Sequence, residues 1–283
     1  MRIIAPLFAC LVASQALAQA RFASFDMASK PILNDPHDLT IGPDGRLYVA
    51  DKFNNRIAVL DADTLELIDS FGDGQLAGVH DISFGPDGLA YVAVTGASVV
   101  AVYDVTTSPA ELINAIGRFP NTEGALAHSN GQLYVMVSGT GDLVAYRDEA
   151  IVASASGMFG AHDVAEALDG TIWVADNNQR RLMHFTPELE LIRSLDDPKY
   201  GFIGPRYLDI DDFGRLVVAD QDAHRILLID PVTGDLLGVL GDGSPGIGPG
   251  KFDDPEGIAV YGNSYYIADS DNNRVVRYVV VIN

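Results

Sequence analysis

One unit of sequence recurs six times along this chain, and this recurrence limits the possible folds more than any other feature. Its first copy runs from Pro36 to Arg56 and reads PHDLTIGPDGRLYVADKFNNR. The residues that open the six copies are called here the marker residues: His37, His80, Glu123, His162, Arg206 and Glu256. Eight positions after each of the first five comes a glycine: Gly45, Gly88, Gly131, Gly170 and Gly214. Self-similarity at this spacing indicates a repeat architecture.

Each copy has the sequence pattern of four short β-strands. In the first copy, Leu39–Ile41 is followed by the turn sequence Gly42–Gly45, in which proline fixes one φ angle and the closing glycine accepts a positive φ. The runs Leu47–Ala50, Arg56–Leu60 and Leu65–Phe71 are predicted to be the next three strands. Four strands in each of six units, with no amphipathic helical window, predict an all-β fold, a six-bladed β-propeller.

The last copy is incomplete, because it ends after its third strand at Tyr278–Val281. The missing strand is expected from the other end of the chain, where Arg21–Asp26 has a strand-forming sequence. A ring of blades must close if its end blades are not to expose their faces and edges. The N-terminal segment is therefore predicted to complete the sixth blade and to hold the ring closed.

A second signature lies at the predicted turn between the second and third strands of the unit. In four copies an aspartate precedes an arginine by five residues: Asp51/Arg56, Asp176/Arg181, Asp220/Arg225 and Asp269/Arg274. A tight turn between the two strands brings such side chains close enough to form an ion pair. Because the pair recurs in blade after blade, it is interpreted as structural support for the corner and not as catalytic machinery.

The first twenty residues have the features of a secretory signal peptide. The basic Arg2 precedes an apolar run from Ile3 to Leu17, and Ala18–Ala20 forms a small-x-small cleavage sequence. The apolar run is too short and too interrupted to span a membrane, and a buried N-terminal helix is the alternative interpretation. The predicted organisation is a signal peptide over residues 1–20 and one propeller domain over residues 21–283. The mature protein is expected to be periplasmic or secreted.

The mature chain is predicted to be strongly acidic and free of thiols. The sequence has 18 basic and 39 acidic residues and a formal net charge of −21, which becomes −22 when Arg2 is removed. This charge argues against nucleic acid and anionic membrane surfaces as partners, since both are negatively charged. The only cysteine, Cys10, lies in the predicted signal peptide. Cysteine catalysis, disulfides and cysteine-bound metals are therefore excluded for the mature chain.

The marker residues are expected to meet at one mouth of the central channel, because each begins the innermost strand of its blade. They comprise three imidazoles, two carboxylates and one guanidinium: His37, His80, His162, Glu123, Glu256 and Arg206. Three neutral imidazoles with an open position are the ligand set of a catalytic zinc site. One interpretation is a divalent metal, zinc before others, held by the three histidines with a glutamate as further ligand or base. The other is polar lining repeated by duplication.

The side chains of the aspartates that follow the three histidines are expected to point to the other face of the strand. Asp38, Asp81 and Asp163 alternate to the opposite face of the strand from the histidines that precede them. They are expected to orient backbone amides between blades or to support the metal ligands. The histidines outside the marker positions are interpreted as structural: His128, His184 and His224.

The mature chain resembles the NHL-repeat family over essentially its whole length. The resemblance rests on the D-x-x-N-x-R-[IV] segments Asp51–Ile57 and Asp269–Val275 and on the connection Gly241–Ile258, which reads GDGSPGIGPGKFDDPEGI. It implies the propeller fold. Members of this family bind proteins, peptides, nucleic acid or metals, and a few are enzymes, so the resemblance leaves the function open.

A further resemblance bears on enzyme activity. The lyase domain of peptidylglycine α-amidating enzymes is a six-bladed propeller of this type that holds zinc by one histidine from each of three blades. The segments Pro36–Leu39, Val79–Ile82 and Ala161–Val164 are similar to those histidine contexts, although aspartate replaces the glycine of that family. This similarity implies a metal-dependent lyase. Streptogramin lyases also resemble the repeat unit, but they have seven blades.

Two functional hypotheses follow from these residues and resemblances. In the first, an exported propeller binds a small molecule, a peptide or a protein at the channel mouth, with or without a divalent metal. In the second, the three-histidine site belongs to a metal-dependent lyase that acts on peptidyl-hydroxyglycine or streptogramin-like substrates. The sequence specifies neither the substrate nor the oligomeric state.

Overall fold

The computed structural model describes residues 22–281, which form six four-stranded antiparallel sheets arranged as the predicted six-bladed β-propeller. The predicted signal peptide, residues 1–20, lies outside the described residues. The first strand in the chain is β1 (Ala23–Ala28). Blade 1 comprises β2 (Pro36–Ile41), β3 (Leu47–Asp51), β4 (Arg56–Leu60) and β5 (Leu67–Phe71). Blade 2 comprises β6 (Val79–Phe84), β7 (Ala90–Val94), β8 (Val99–Asp104) and β9 (Glu111–Gly117).

The next three blades repeat this arrangement from the inner to the outer strand. Blade 3 comprises β10 (Thr122–Ala127), β11 (Leu133–Val137), β12 (Asp142–Arg147) and β13 (Ala150–Ser156). Blade 4 comprises β14 (Ala161–Glu166), β15 (Ile172–Asp176), β16 (Arg181–Phe185) and β17 (Leu191–Leu195). Blade 5 comprises β18 (Pro205–Ile210), β19 (Leu216–Asp220), β20 (Arg225–Ile229) and β21 (Leu236–Leu240).

Blade 6 joins the two ends of the described chain. Its strands are β22 (Pro255–Tyr261), β23 (Ser264–Asp269), β24 (Arg274–Val280) and, as the outer strand, β1. Strand β1 pairs antiparallel with β24, and Asp26 forms an ion pair with Arg277 at 2.6 Å. Phe22, just before β1, packs edge-on against Tyr265 of β23. The predicted closure by the N-terminal strand is confirmed, with the strand two residues further along than Arg21–Asp26.

The helical content of the described chain consists of single 3₁₀ turns. They are Lys52–Asn54, Thr95–Ala97, Asn177–Gln179, Pro198–Tyr200, Gln221–Ala223 and Ser270–Asn272. Five of the six lie between the second and third strands of a blade, and each of these ends in a residue with left-handed backbone, such as Asn55. Within residues 22–281, no helix has the length and apolar character that crossing a membrane requires.

The hydrophobic core lies between neighbouring blades. The second strands are its centre, because every residue of β3, β11, β15 and β19 is buried. A strand covered on both faces reads as a continuous apolar run and not as an alternating one, as these sequences do. Aromatic side chains link the sheets: the ring of Tyr48 in blade 1 packs on Phe84 of blade 2, with ring centroids 4.9 Å apart.

The Asp/Arg pairs lie at the corners between the second and third strands. The arginine contacts its aspartate at 2.6 to 2.8 Å in all four copies, and each of these aspartates is fully buried. In three copies the second carboxylate oxygen accepts backbone N–H bonds from the segment that enters the blade, as Asp220 does from Ile203 and Gly204. The pair therefore fastens the entering chain to the corner.

The aspartates after the marker histidines connect successive blades. Asp38 accepts a bond from the amide of Ile82, Asp81 from that of Ala125, and Asp163 from that of Leu208, in each case in the next blade. The first of the two expected roles of these aspartates is thus present in the structure. Blades 3 and 6 have glycine at this position, Gly124 and Gly257, and a Cβ there would overlap the carbonyl oxygen of a neighbouring blade.

Candidate functional site at the histidine end of the channel

Each marker residue lies in a β-bulge at the start of an inner strand. In β2, Pro36 pairs with Asp51 and Leu39 pairs with Val49. The pairing register shifts between these two pairs, and His37 lies within the shift. The same irregularity surrounds the other five marker residues: His80, Glu123, His162, Arg206 and Glu256. Bulges re-aim side chains and are frequent beside functional sites. Here they bring six polar side chains together at one end of the channel.

The marker side chains fill this end of the channel. Glu256, Glu123 and His80 are 2 to 7% exposed, and His37 is 1% exposed. Arg206 is the most accessible, with 17% of its side chain exposed. Burial of so many polar groups is costly unless they satisfy one another or a ligand. The partners of each group therefore decide what this site can do.

His37 is part of a charged network. Its Nδ1 lies 2.9 Å from Glu256 Oε2, and its Nε2 lies 3.2 Å from Asp35 Oδ2 and 2.8 Å from the Lys52 ammonium. Burial disfavours the charged imidazole, but the carboxylates of Glu256 and Asp35 outweigh it and raise the pKa of His37. Burial likewise works against ionised Asp35, yet His37 and Lys52 lower its pKa to about 2. Neither Asp35 nor Lys52 was found from the sequence, because neither recurs with the repeat.

The ligand atoms of Asp35, His37 and Glu256 lie within 4.8 Å of one another, which is compact enough for a metal. The Lys52 ammonium already lies 3.2 Å from Asp35 and supplies positive charge to this group. Within residues 22–281, the three marker histidines do not form a set of this compactness. The rings of His37 and His80 are nevertheless close, with centroids 4.5 Å apart.

His80 and His162 differ from His37 in their surroundings. Nδ1 of His80 lies 2.8 Å from the carbonyl of Gly78, and Nδ1 of His162 lies 2.7 Å from that of Gly160. A carbonyl only accepts, so each Nδ1 carries the proton and each Nε2 carries a lone pair. Burial, and then the charge of His37, lowers the pKa of His80 to about 2. Burial and Arg206 hold that of His162 well below its usual value. Both imidazoles are neutral.

The two Nε2 atoms converge on one carboxylate. Glu123 Oε2 lies 3.1 Å from Nε2 of His80 and 3.6 Å from Nε2 of His162. It is buried and has no hydrogen-bond donor. Burial raises the pKa of Glu123 to about 6, although the positive charge of Arg206 opposes the rise. Two lone pairs and a carboxylate oxygen thus face one another with nothing donated between them.

Two further buried atoms at this end lack a well-oriented hydrogen bond, Glu256 Oε2 and Arg206 Nε. These two atoms lie 3.5 Å from each other. Gln221 bridges the same two side chains through other atoms: it accepts a bond from Arg206 Nη1 at 2.8 Å and donates one to Glu256 Oε1 at 2.9 Å. Because Glu256 Oε2 also lies 2.9 Å from Nδ1 of His37, Arg206 Nε is the group here that the protein satisfies least well.

Tyr207 is a site residue that the sequence analysis missed. It follows Arg206, at the position that holds aspartate in the histidine copies, and is fully buried. Its hydroxyl lies 3.3 Å from the carbonyl oxygen of His80 and 3.5 Å from Nδ1 of His37. Burial and the Glu256 charge raise its pKa well above the ordinary value, so the phenol is neutral. The break in the repeat at this position was the available signal.

The opposite end of the channel is open. A cavity of about 290 Å³ there is lined by five carboxylates, those of Asp38, Asp81, Asp163, Glu166 and Asp209. Burial and mutual repulsion raise the pKa of Asp38 and Asp81 well above the ordinary value, and burial raises that of Asp163 and Asp209 to about 7. The two ends of the channel thus differ in chemistry.

The histidines outside the marker positions have the structural contacts expected of them. His128 contacts the carbonyl of Gly170 at 3.0 Å. His184 stacks on Trp173 with centroids 4.2 Å apart, and His224 accepts a bond from the amide of Asp254.

The fold and the marker ring define the class of this protein, a six-bladed β-propeller with NHL-type repeats. The NHL repeat family model matches residues 252–278, in blade 6. More specifically, the chain belongs to the family described as "Domain of unknown function (DUF5074)", whose model matches residues 37–195, more than half of the chain. No curated protein matches the sequence.

Solved structures similar to this one are propellers of low sequence identity. Virginiamycin B lyase from Staphylococcus aureus matches with a TM-score of 0.64 and 12% identity, over 88% of this chain and 96% of that one. Hydrazine synthase from Kuenenia stuttgartiensis matches with a TM-score of 0.65 and 15% identity, over 90% and 98%. The Cps50 (Swd1) β-propeller domain from Myceliophteria thermophila matches with 0.62 and 14%, over 87% and 83%. These similarities show the fold alone.

Proposed function

We propose that this protein is an exported ligand-binding propeller whose binding site is the histidine end of the channel and contains a divalent metal ion. One observation carries the proposal. Glu123 Oε2 is buried without a donor, and the lone pairs of His80 Nε2 and His162 Nε2 face it at 3.1 and 3.6 Å. Such an arrangement needs a proton or a cation between the groups.

The choice between a proton and a metal depends on pH. With its pKa near 6, Glu123 is ionised at neutral pH, so a proton is then only weakly held. Neutral imidazole nitrogens and a carboxylate oxygen are the ligands that zinc takes in proteins. His80, His162 and Glu123 would hold the ion, and their side chains would have to move to reach it, because their ligand atoms do not all lie within 4.8 Å of one another. His37 would stay in its network with Lys52, Asp35 and Glu256 and contribute charge.

The ligand of the proposed site is a small molecule or the terminus of a peptide or protein. Arg206 Nε, which lacks a well-oriented hydrogen bond, offers a donor to a polar ligand at this end of the channel. The marker side chains leave little space at this end, which favours a small polar group over a large apolar one. The formal net charge of −21 for the full chain disfavours nucleic acid.

The metal is tested by elemental analysis of tag-free protein without the signal segment, purified at neutral pH. We expect about one zinc, copper or iron ion per chain, and a melting temperature that falls on dialysis against EDTA and recovers with the metal. The double variant His80→Ala/His162→Ala should contain none, whereas His184→Ala, stacked on Trp173 away from the site, should keep it. Metal-free wild-type protein that gains no stability from added zinc, copper, iron or manganese would refute the proposal.

A metal-dependent lyase is the second candidate. The observation in its favour is a set of acid–base groups beside the proposed metal: the Tyr207 hydroxyl 3.5 Å from His37, and Glu123 with a pKa of about 6. The similar virginiamycin B lyase from Staphylococcus aureus has been crystallised with quinupristin. Metal-loaded protein should be assayed with quinupristin and with a peptidyl-hydroxyglycine. Turnover abolished by Tyr207→Phe would support this candidate, and no turnover of either substrate would reject it.

Export is part of the same proposal and rests on the N-terminal sequence. We expect the protein to be processed after Ala20 and recovered outside the cytoplasm. Mass spectrometry of the mature N-terminus and cell fractionation test this, and an intact Met1 in cytoplasmic protein would contradict it.

A further inference from the structure

A second cavity, of about 330 Å³, lies between blades 2 and 3 on the face opposite the histidine end. The turns after the first strands of both blades contribute to it, through Asp87 in one and Gly131 in the other. Its volume falls in the range of about 300–1,000 Å³ that small-molecule sites occupy. The site is separate from the marker residues, and the inference below does not depend on the proposed metal.

The neighbouring pair of blades explains why this cavity exists. Four residues before the turn glycine, blade 2 has Phe84, whose ring packs edge-on against Tyr48 of blade 1 with centroids 4.9 Å apart. In blade 3 the same position is Ala127, and the residue equivalent to Tyr48 is Tyr91 of blade 2. Ala127 and Tyr91 both line the cavity. The smaller side chain of Ala127 therefore leaves unfilled, beside Tyr91, the position that Phe84 fills beside Tyr48.

The walls of the cavity suit an aromatic ring. Tyr91, Ile116, Leu133 and Tyr146 line it. The Tyr91 hydroxyl donates to Asp87 at 2.8 Å, and burial together with this carboxylate raises the Tyr91 pKa to about 12, so the phenol is neutral. Aromatic pairs prefer the edge-to-face geometry that Tyr48 and Phe84 show.

The rim carries charges of both signs. Arg147, Asp87 and Asp148 line the cavity and are exposed. Arg147 gives one bond, to the carbonyl of Asn130 at 3.3 Å, and a guanidinium has five N–H donors. A guanidinium binds a carboxylate in a fork geometry, and carboxylates bind an ammonium group. A rim with one cation and two anions fits a zwitterion better than a ligand of a single charge.

We propose that this cavity binds a free aromatic amino acid. The side-chain ring fills the space next to Ala127 and packs against Tyr91. The α-carboxylate pairs with Arg147, and the α-ammonium pairs with Asp87 and Asp148. Phenylalanine is the simplest ligand of this chemistry, because its ring is the group that fills the equivalent position between blades 1 and 2.

Calorimetric titration of the mature wild-type protein with L-phenylalanine, L-tyrosine and L-tryptophan tests the ligand class. At least one should bind, and 3-phenylpropionate and phenethylamine, which each lack one charge, should bind at least about tenfold more weakly. L-Leucine has both charges without the ring and should also bind more weakly. Absence of binding by all three aromatic amino acids up to about 10 mM, or equal binding of the singly charged analogues, would overturn the proposal.

Substitutions of residues that line the cavity test whether the amino acid binds there. Ala127→Phe should build into blades 2 and 3 the contact that Phe84 makes in blades 1 and 2, so it should fold and lose binding. Arg147→Met and Asp87→Asn, at exposed positions, should each weaken binding at least about tenfold and give a second test if Ala127→Phe fails to fold. Asp44→Asn changes the equivalent aspartate of blade 1 and should leave binding unchanged. Wild-type affinity in Ala127→Phe or in both rim variants would refute the assignment.

Discussion

Asp209, at the open end of the channel, should make the stability of this protein depend on pH. Its Oδ2 accepts a bond of 2.7 Å from the amide of Val260 in the next blade, and its Oδ1 accepts one of 2.6 Å from Ile210. Burial nevertheless dominates, with a smaller contribution from Asp211 and Asp212, and raises the pKa of Asp209 from 3.8 to about 7. The folded state therefore binds this proton more tightly than the unfolded state does.

The sign and the magnitude follow from that difference. The stabilising effect of the protonated carboxyl is complete below the unfolded pKa of 3.8 and is lost as the pH rises through 7. Between pH 5 and pH 7 the unfolded chain is already ionised while the folded carboxyl still holds its proton. Two pH units at about 1.4 kcal/mol each give a loss of about 3 kcal/mol. Partial exposure of Asp209 reduces this to about 2 kcal/mol.

Urea unfolding of the wild type and of Asp209→Asn at pH 5 and pH 8, both with EDTA, measures the effect. Asparagine keeps an acceptor for Val260 and does not titrate, so the variant should lose about 2 kcal/mol less than the wild type between the two pH values. Asp38 and Asp81 titrate in both proteins, and Asp163, whose pKa the Asp209 charge helps to raise, adds a smaller difference of the same sign. Asp69→Asn, at an exposed position in the outer strand of blade 1, is the matched control. An equal pH dependence in wild type and Asp209→Asn would refute the reasoning.

Three further predictions concern the scaffold. Deletion of residues 22–30 removes β1 from blade 6 and should lower the melting temperature by more than about 10 °C in a thermal melt; an unchanged melt would exclude the closure role. Gly124→Ala places a Cβ against the His162 carbonyl and should cost about 2–4 kcal/mol in urea unfolding, whereas Gly248→Ala, where φ is not positive and no atom lies within 4 Å, should cost little. Arg274→Met leaves buried Asp269 without its cation and should cost about 3 kcal/mol at pH 8 and less at pH 5.

The fold could be predicted because the same sequence signals recur from blade to blade. Turn glycines, buried second strands and corner pairs recur in register, so six weak local signals support one architecture. The strand limits were less predictable. Leu39–Ile41 was expected as the first strand, but β2 begins at Pro36, since pairing with β3 resumes beyond the bulge at the marker residue. Such pairing depends on the neighbouring strand and overrides the low strand propensity of proline, histidine and aspartate.

The site was predictable in its location and not in its contacts. The marker residues were found by their spacing, and the structure brings them to one end of the channel. Lys52 and Asp35 were missed because their residue types are not kept around the ring: the 3₁₀ turn that begins at Lys52 recurs, but it begins with other residues in the other blades. The cavity at Ala127 was missed for a different reason: an alanine in a strand is unremarkable until Phe84 is seen to fill the same position one blade earlier.

The three marker histidines occupy equivalent positions in the repeat but have different chemical surroundings. All three stand before an aspartate, and the three aspartates, Asp38, Asp81 and Asp163, hold the next blade in the same way. The imidazoles differ because their surroundings differ: the carboxylates of Glu256 and Asp35 raise the pKa of His37, while burial and the charge of His37 keep His80 neutral, although the Gly78 carbonyl opposes this. A metal ion would therefore bind His80 and His162 but not His37, although the three histidines occupy equivalent positions in the repeat. Substituting His37 should disturb the charge of the site, and substituting His80 should remove a ligand.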